Sequence, residues 1–142
     1  MLRTKPFRFL LACAAVTGLA LTALSPSAAQ DAGTVFELRT YTATPGNLDN
    51  LHARFRDHTT RIFGKHGMKV VGYWTPTDGE ESADTLVYIL EHKSRAAAAA
   101  SWKAFIADPE WEKVAAESNA NGPILGGIES KYLRATDYSP LQ

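Results

Sequence analysis

Four stretches of the chain are rich in β-branched and aromatic residues, a composition that favours extended strands. They lie at residues 35–42, 68–75, 85–92 and 128–134. The segment PTDG at 76–79 follows the second stretch and contains residues typical of a turn. The pattern therefore predicts four strands, with a turn and a polar loop that runs on to Ala83 between the second and the third.

Apolar residues at helical spacing predict one helix between the first two strands. Its apolar stripe consists of Leu48, Leu51, Phe55, His58 and Ile62. Thr44 and Pro45 are expected to open this helix, because a capping hydroxyl there precedes a proline suited to a first helical turn. Gly67 is expected to end it, since glycine readily takes the positive φ of a helix end.

A second helix is predicted between the third and the last strand, with Ser94 as its cap. Its packing face carries Ala98, Trp102 and Phe105. Asp108 and Pro109 repeat the order of a cap followed by proline, which divides this helix into two segments. The residues from 119 to 127 are predicted to form a loop.

The predicted order of elements is β-α-β-β-α-β, which is typical of an α+β, ferredoxin-like fold. In this fold two helices cover one face of a four-stranded antiparallel sheet, and the first strand lies between the third and the last. The opposite face has no helix to cover it. That helix-free face is expected to carry Tyr41, Val87, Ile89 and Leu133, a patch that usually needs a partner.

The first 29 residues have the three-part layout of a secretory signal peptide. The basic start contains Arg3, Lys5 and Arg8, and an uncharged, mostly apolar run follows at 9–24. Small residues then lead to Ala29, after which we predict cleavage, leaving residues 30–142 as one periplasmic or secreted domain. A membrane anchor is the alternative, but the apolar run is shorter than the ~20 residues that span a bilayer. A lipoprotein site at Cys13 is the third interpretation, although the apolar run continues past it.

Cleavage changes the charge and the chemistry of the chain. The whole sequence has 15 basic and 15 acidic residues, and loss of the signal leaves 12 against 15. A mildly acidic domain lacks the basic patch that phosphate recognition needs, so nucleic acid is not an expected partner. Cys13 is the only cysteine, and its removal leaves no disulfide and no thiolate nucleophile. The cleaved domain is also not expected to bind a membrane.

Short segments along the domain occur in the order found in one family. They are FELRTY at 36–41, PG at 45–46, FRDHT at 55–59, HG at 66–67, VGYW at 71–74, DPEW at 108–111 and YSP at 138–140. This ordered set resembles the NIPSNAP family. The resemblance implies a ferredoxin-like subunit that pairs with a second copy, sheet to sheet, into a dimeric α/β barrel. It implies no settled activity, because related barrel families include cofactor-free monooxygenases, haem-handling enzymes and stress-response proteins.

The first strand presents two alternating sets of residues, one on each face. We assign to the helices the set Phe36, Leu38 and Thr40. The opposite set, expected on the helix-free face, is Glu37, Arg39 and Tyr41. Neighbouring strands are expected to add Glu91, Glu129 and Lys131 to that face. These charges form either a polar pocket inside a dimer, an ion-pair network that fixes the register of the dimer, or a solvated surface.

His58 interrupts the apolar stripe of the first helix, where leucine would pack better. A buried histidine needs a hydrogen-bond partner, so His58 is either a general base between helix and sheet or a structural histidine. Haem ligation through His58 is a third alternative. The histidines show no HxH or HExxH spacing, so no metal site is predicted.

Two functions are consistent with these features, and neither needs a cofactor. The first is a homodimer, paired through the helix-free sheet face, that binds a small apolar or aromatic molecule. Its candidate ligand-binding residues are Glu37, Arg39, Tyr41, Trp74 and Tyr88. The second is a cofactor-independent enzyme of the monooxygenase or isomerase type, with His58 as its base. No phosphate loop or serine-hydrolase elbow occurs, so phosphoryl transfer and serine hydrolysis are not expected.

Overall fold

The computed structural model describes residues 33–141, and the predicted signal peptide, residues 1–29, lies outside the described residues. In chain order the elements are β1 (Val35–Ala43), α1 (Leu48–Arg54), a π-helical turn (Phe55–Thr59), α2 (Thr60–Lys65), β2 (Lys69–Trp74), a 3-10 turn (Glu80–Ala83), β3 (Thr85–His92), α3 (Arg95–Ile106), α4 (Pro109–Ser118) and β4 (Leu125–Leu133). Within the described part of the chain, no helix combines the length and the apolar character that crossing a membrane requires.

The four strands form one antiparallel sheet in the order β2-β3-β1-β4. The helices pack on one face of this sheet, and aromatic residues fill the space between them. Tyr88 of β3, for example, lies against the rings of Phe55 and Phe63 from the helical layer. The predicted α+β, ferredoxin-like arrangement is confirmed, including the place of the first strand between the third and the last.

The caps of the last two helices are confirmed in atomic detail. Ser94 Oγ accepts a hydrogen bond of 3.0 Å from the backbone NH of Ala97, and α3 follows directly. Asp108 Oδ1 accepts one of 2.9 Å from the backbone NH of Glu110, with Pro109 as the first residue of α4. Each cap satisfies a backbone donor that has no partner inside the helix.

Helix α1 begins at Leu48 rather than at Pro45 as predicted. Gly46 has a φ of 77°, a left-handed conformation, so Pro45 and Gly46 form a turn instead of helix. Across this turn the backbone NH of Asn47 donates to the carbonyl of Thr44 at 2.9 Å. The proline and the hydroxyl of Thr44 therefore belong to the turn before the helix.

Strand β4 begins at Leu125, inside the segment predicted to be a loop. The glycines at 126 and 127 indicated a loop, but β1 provides partners for this segment. Thr42 pairs with Gly127 and Ala43 pairs with Leu125, which leaves Gly126 as the extra residue of a β-bulge. Glycine at this position therefore marks a bulge within a strand rather than a loop.

The π-helical turn moves His58 off the apolar stripe, so the prediction that His58 faces the core is wrong. A π-helical turn accommodates one residue more than an α-helical turn. Thr59 therefore occupies the inward position and is 1% exposed, whereas His58 is exposed to solvent. The hydroxyls of Thr59 and Thr60 donate to the carbonyls of Arg54 and Phe55, at 3.2 and 2.8 Å, and help satisfy this widened turn.

The assignment of the two faces of β1 is also wrong. Glu37, Arg39 and Tyr41 lie on the helix side, where Arg39 pairs across the sheet with Tyr88. Phe36, Leu38 and Thr40 lie on the helix-free face. Strand alternation indicates which residues share a face but not which face is covered, and a one-residue shift exchanges the two sets.

The predicted charged constellation is therefore divided between the two faces. Glu91 pairs with Phe36, Lys131 with Leu38 and Glu129 with Thr40, which places these three charges on the helix-free face as predicted. Glu37 and Arg39 lie on the opposite side of the sheet. The two groups of charges cannot meet within one subunit.

Candidate binding site between the sheet and the helices

A cavity of about 240 Å³ lies between the sheet and the helical layer, and we call it the inner cavity. Its walls are mostly apolar, with Asn119, Thr59 and Arg54 as polar members. The aromatic side chains are Tyr41, Phe55, Phe63, Phe105 and Trp111. Because they come from β1, the π-helical turn, α2, α3 and α4, the cavity is a product of the tertiary fold.

Edge-to-face and tilted ring contacts hold these walls in place. Tyr41 and Phe55 meet edge to face with their centroids 5.8 Å apart, and Phe105 and Trp111 lie 4.5 Å apart. Such pairs stabilise beyond the burial of area alone, by about 0.5–1.5 kcal/mol each. The aromatic part of the cavity wall therefore consists of rings that already support one another before any ligand arrives.

Arg54 is a buried cation on the wall of the inner cavity, and the residue as a whole is only 6% exposed. Nη1 donates to Ser118 Oγ at 3.3 Å, and the guanidinium carbon lies 5.4 Å from the ring centre of Trp111. Nε is buried without an acceptor among residues 33–141. Burial lowers the pKa of Arg54, because the charged form loses its hydration.

A polar network centred on Glu37 lies in the same layer, next to the cavity. The carboxylate is 1% exposed and accepts a hydrogen bond at each of its four lone-pair positions. Oε1 accepts from Arg39 Nη1 at 2.7 Å and from Ser130 Oγ at 2.8 Å. Oε2 accepts from Trp102 Nε1 at 2.7 Å and from His92 Nε2 at 2.9 Å.

The network keeps Glu37 ionised although it is buried. Burial by itself raises the pKa of Glu37, but the hydrogen bonds from His92, Trp102, Ser130 and Arg39 outweigh it and lower the pKa to about 2. The guanidinium of Arg39 also stacks on Trp102, with its carbon 4.2 Å from the ring centre. Glu37 therefore binds β1, β3, β4 and α3 together and holds Arg39 in place.

Tyr88 pairs with Arg39 on the helix side of the sheet and is fully buried. Its hydroxyl has no hydrogen-bond partner among the described residues. Burial raises the pKa of Tyr88 far above its usual value, so the phenol stays neutral. Tyr88 contacts the ring of Tyr41, with centroids 5.2 Å apart, but it does not line the inner cavity.

The structure brings four of the five predicted ligand-binding residues into one layer and separates the fifth. Glu37, Arg39, Tyr41 and Tyr88 share the helix side of the sheet, although only Tyr41 among them lines the inner cavity. Trp74 pairs with Val87 on the helix-free face and is 50% exposed. Its indole lies over Gly72, where an added Cβ would approach Trp74 Cη2 to 2.7 Å.

His58 lines a different space, an open groove of about 640 Å³ that we call the outer groove. The groove runs along α1 and α4, and it is mostly polar. Arg54 and Pro123 line both the outer groove and the inner cavity, so the two spaces adjoin there. The candidate base is thus on the outer side of Arg54, away from the aromatic walls.

Sequence reasoning missed Arg54, His92, Trp102 as a donor, and Ser130. Arg54 follows Leu51 by three residues, which is a stripe position, and a charged residue on an apolar stripe was a usable signal. The donors to Glu37 gave no local signal. They lie 55, 65 and 93 residues away along the chain.

No group of three or more His, Cys, Asp or Glu side chains within residues 33–141 is arranged to hold a metal ion. The polar network has one carboxylate and one imidazole, and both already use their facing atoms for each other. The site as described offers shape, aromatic surface and one cationic side chain, Arg54, that forms no ion pair with the described residues.

Comparisons with known proteins agree with the fold. A NIPSNAP family protein from Agrobacterium tumefaciens has 19% identity and a TM-score of 0.67, and the match covers 77% of this chain and 99% of that one. A NIPSNAP domain protein from Burkholderia xenovorans has 23% identity and a TM-score of 0.64, with 75% and 98% covered. SnoaB, a cofactor-independent oxygenase from Streptomyces nogalater, has 16% identity and a TM-score of 0.50, with 77% and 99% covered.

At these identities the similarity to the solved structures shows a shared fold, but it carries no information about a shared activity. No curated protein gives a significant match. The family model described as NIPSNAP matches residues 36–140, from the first strand to the segment after β4. The predicted resemblance is confirmed, and the chain belongs to the NIPSNAP family.

Proposed function

We propose that this NIPSNAP protein is an exported homodimer that binds a small, largely aromatic molecule in the inner cavity. The observation that carries the proposal is a partly open space with apolar, largely ring-bearing walls and few polar groups. Pockets of this kind take small apolar ligands and use their few polar groups to orient them. The wall residues Tyr41, Phe55 and Trp111 would contact the rings of such a ligand.

The volume of the inner cavity limits the size of the ligand. An engineered apolar cavity of roughly 150 Å³ is enough to bind benzene. The inner cavity, at about 240 Å³, has room for a single ring with a short substituent. A larger polycyclic molecule would require the helices to move away from the sheet.

Binding is favoured over catalysis by the chemistry of the cavity walls. Histidine, aspartate and glutamate are absent from the described residues that line the inner cavity. A general base must be within hydrogen-bond reach of the proton that it removes. The alternative, a cofactor-independent monooxygenase or isomerase with His58 as base, therefore requires a substrate whose acidic proton lies in the outer groove.

The homodimer proposal rests on the helix-free sheet face. This face carries apolar side chains between its charges. They are Leu38, Trp74, Val87, Ile89 and Leu133. A second copy related by a two-fold axis would cover this surface with an identical one, and cyclic dimers are the commonest assembly. Export rests on the signal-like layout of residues 1–29.

The cavity proposal is tested with a neutral single-ring probe, benzamide, followed by ligand-observed NMR. Ala115 lines the inner cavity, and Ala116 is exposed on the same helix. Ala115→Leu should fill part of the cavity and weaken benzamide binding at least about tenfold, since a cavity without room excludes a ring. The matched variant Ala116→Leu should bind like the wild type. Equal binding by both variants would show that benzamide sits elsewhere.

A further inference from the structure

Arg54 is a buried charge that the described protein leaves without a counter-ion. No Asp or Glu among residues 33–141 forms an ion pair with it. Its bonds are one long hydrogen bond to a hydroxyl and a ring contact with Trp111. Burying an unpaired cation is unfavourable, because the lost hydration is not replaced by an opposite charge.

Arg39 shows that the same layer can neutralise a guanidinium when the fold requires it. Arg39 forms an ion pair of 2.7 Å with the buried carboxylate of Glu37. Arg54 has no equivalent of Glu37 among residues 33–141. The contrast indicates that the missing anion at Arg54 does not come from the described chain.

Acidic residues close to the outer groove do not fill this role. Asp57 and Glu117 line the groove together with Arg54, yet both are exposed and neither pairs with it. Arg54 also carries five N–H donors in a planar fork, of which Nη1 has a protein acceptor and Nε has none. A guanidinium in this state matches an oxyanion, which accepts two parallel hydrogen bonds.

We propose that the ligand of the inner cavity is an aromatic monoanion whose carboxylate binds Arg54. The inference rests on the proposed function, because it assigns the charge of the molecule that the cavity would hold. The ring would lie among Phe55, Phe105 and Trp111, and the carboxylate would lie at the junction of the cavity with the outer groove. The groove would then be the route by which the ligand enters.

The test compares benzoate with benzamide, which have the same ring and nearly the same shape but differ in charge. The proteins are the wild type, Arg54→Met and Arg56→Met. Arg56 is exposed, follows Arg54 by two residues and lines neither the inner cavity nor the outer groove, so its variant removes the same charge elsewhere. Ligand-observed NMR gives both dissociation constants at one pH and one ionic strength.

Wild type and Arg56→Met should bind benzoate at least about tenfold more tightly than benzamide, because the bond to Arg54 is charge-assisted. Arg54→Met should bind benzamide within about twofold of the wild type and lose the preference for benzoate. Equal affinities for both probes in the wild type would overturn the inference while leaving the cavity as a neutral binding site. If neither probe bound the wild type, the proposed function itself would fail. Equal affinities in the wild type would overturn the inference even if Arg54→Met does not fold.

Discussion

Trp102 Nε1 donates a hydrogen bond of 2.7 Å to Glu37 Oε2, and this bond joins helix α3 to the central strand β1. Replacing Glu37 by glutamine keeps the shape but turns one acceptor oxygen into a donor that faces other donors. We expect Glu37→Gln to lower the free energy of unfolding by about 2–4 kcal/mol, since it breaks a buried charged network. Urea denaturation measures this, with the exposed Glu81→Gln as a control that should change little.

The same carboxylate predicts how stability depends on pH. The pKa of Glu37 is about 2 in the folded protein against 4.5 ordinarily. A lowered pKa contributes stability that is complete above about pH 4.5 and is lost as the pH falls toward 2, by roughly 3 kcal/mol in total. Urea denaturation at several pH values should show a steep loss over this range.

Protonation of Asp108 also lowers the stability of the folded protein in acid, because hydrogen bonds from Lys65, His66 and a backbone NH lower the pKa of Asp108 in the folded state. The Glu37→Gln variant separates the two carboxylates, since it keeps Asp108. Its stability should fall less steeply than that of the wild type below pH 4.5. Parallel curves for the two proteins would mean that Glu37 takes up its proton at the same pH folded and unfolded.

The proposed dimer predicts that one aspartate is enough to give monomers. Ile89 lies on the helix-free face, and Ile89→Asp would place an unpaired carboxylate at the contact between two sheets. Sedimentation velocity at micromolar concentration should show a dimer for the wild type and a monomer for this variant. Ile106→Asp is the matched control, because Ile106 is 62% exposed on α3 and should leave the dimer intact.

The π-helical turn predicts opposite behaviour for two adjacent residues. His58→Leu should change the free energy of unfolding by less than about 0.5 kcal/mol, because His58 is exposed. Thr59→Ala should lower it by about 1–2 kcal/mol, since it removes a buried hydroxyl bonded to the Arg54 carbonyl. Thermal or urea denaturation distinguishes them. A clear increase in the free energy of unfolding of His58→Leu would instead mean that position 58 packs in the core.

The signal-like start predicts that the exported protein begins at or close to Gln30. N-terminal sequencing of protein recovered from outside the cytoplasm gives the answer directly. Replacing Ala29 by a bulky residue such as tryptophan should slow processing, because signal peptidase accepts only small side chains at the cut. Recovery of the intact start, or of a lipid on Cys13, would contradict the proposal.

Local chemistry accounts for the part of the fold that could be predicted from the sequence. The caps at Ser94 and Asp108 act within three residues of their own position, and strand composition is likewise a short-range property. The covered face of β1 is different. Glu37 is stable beneath a helix only because His92, Trp102 and Ser130 reach it from distant positions, and no window around β1 contains them.

The candidate site was predicted only in part, because the surroundings of its residues depend on positions that are distant along the chain. Tyr41 and Arg39 were identified as strand residues with functional character, but their surroundings depend on α3 and β3. A regular helix places His58 inward, so His58 was predicted as a site residue, whereas Arg54 was missed although it occupies a stripe position of the same helix. One extra residue in a helical turn was enough to exchange the exposure expected of position 58.

The widened turn at Phe55–Thr59 also determines how this gene can tolerate small deletions. Loss of a single codon there would allow the turn to close into a regular helix, because the turn holds one residue more than an α-helical turn. Ile62 and Phe63 would keep facing the sheet after such a loss, whereas loss of a second residue would rotate everything after it by about 100° about the helix axis. Natural variants are therefore expected to differ freely in the identity of exposed residues such as Arg56 and His58, and to lack one of them without losing the contact of the helix with the sheet.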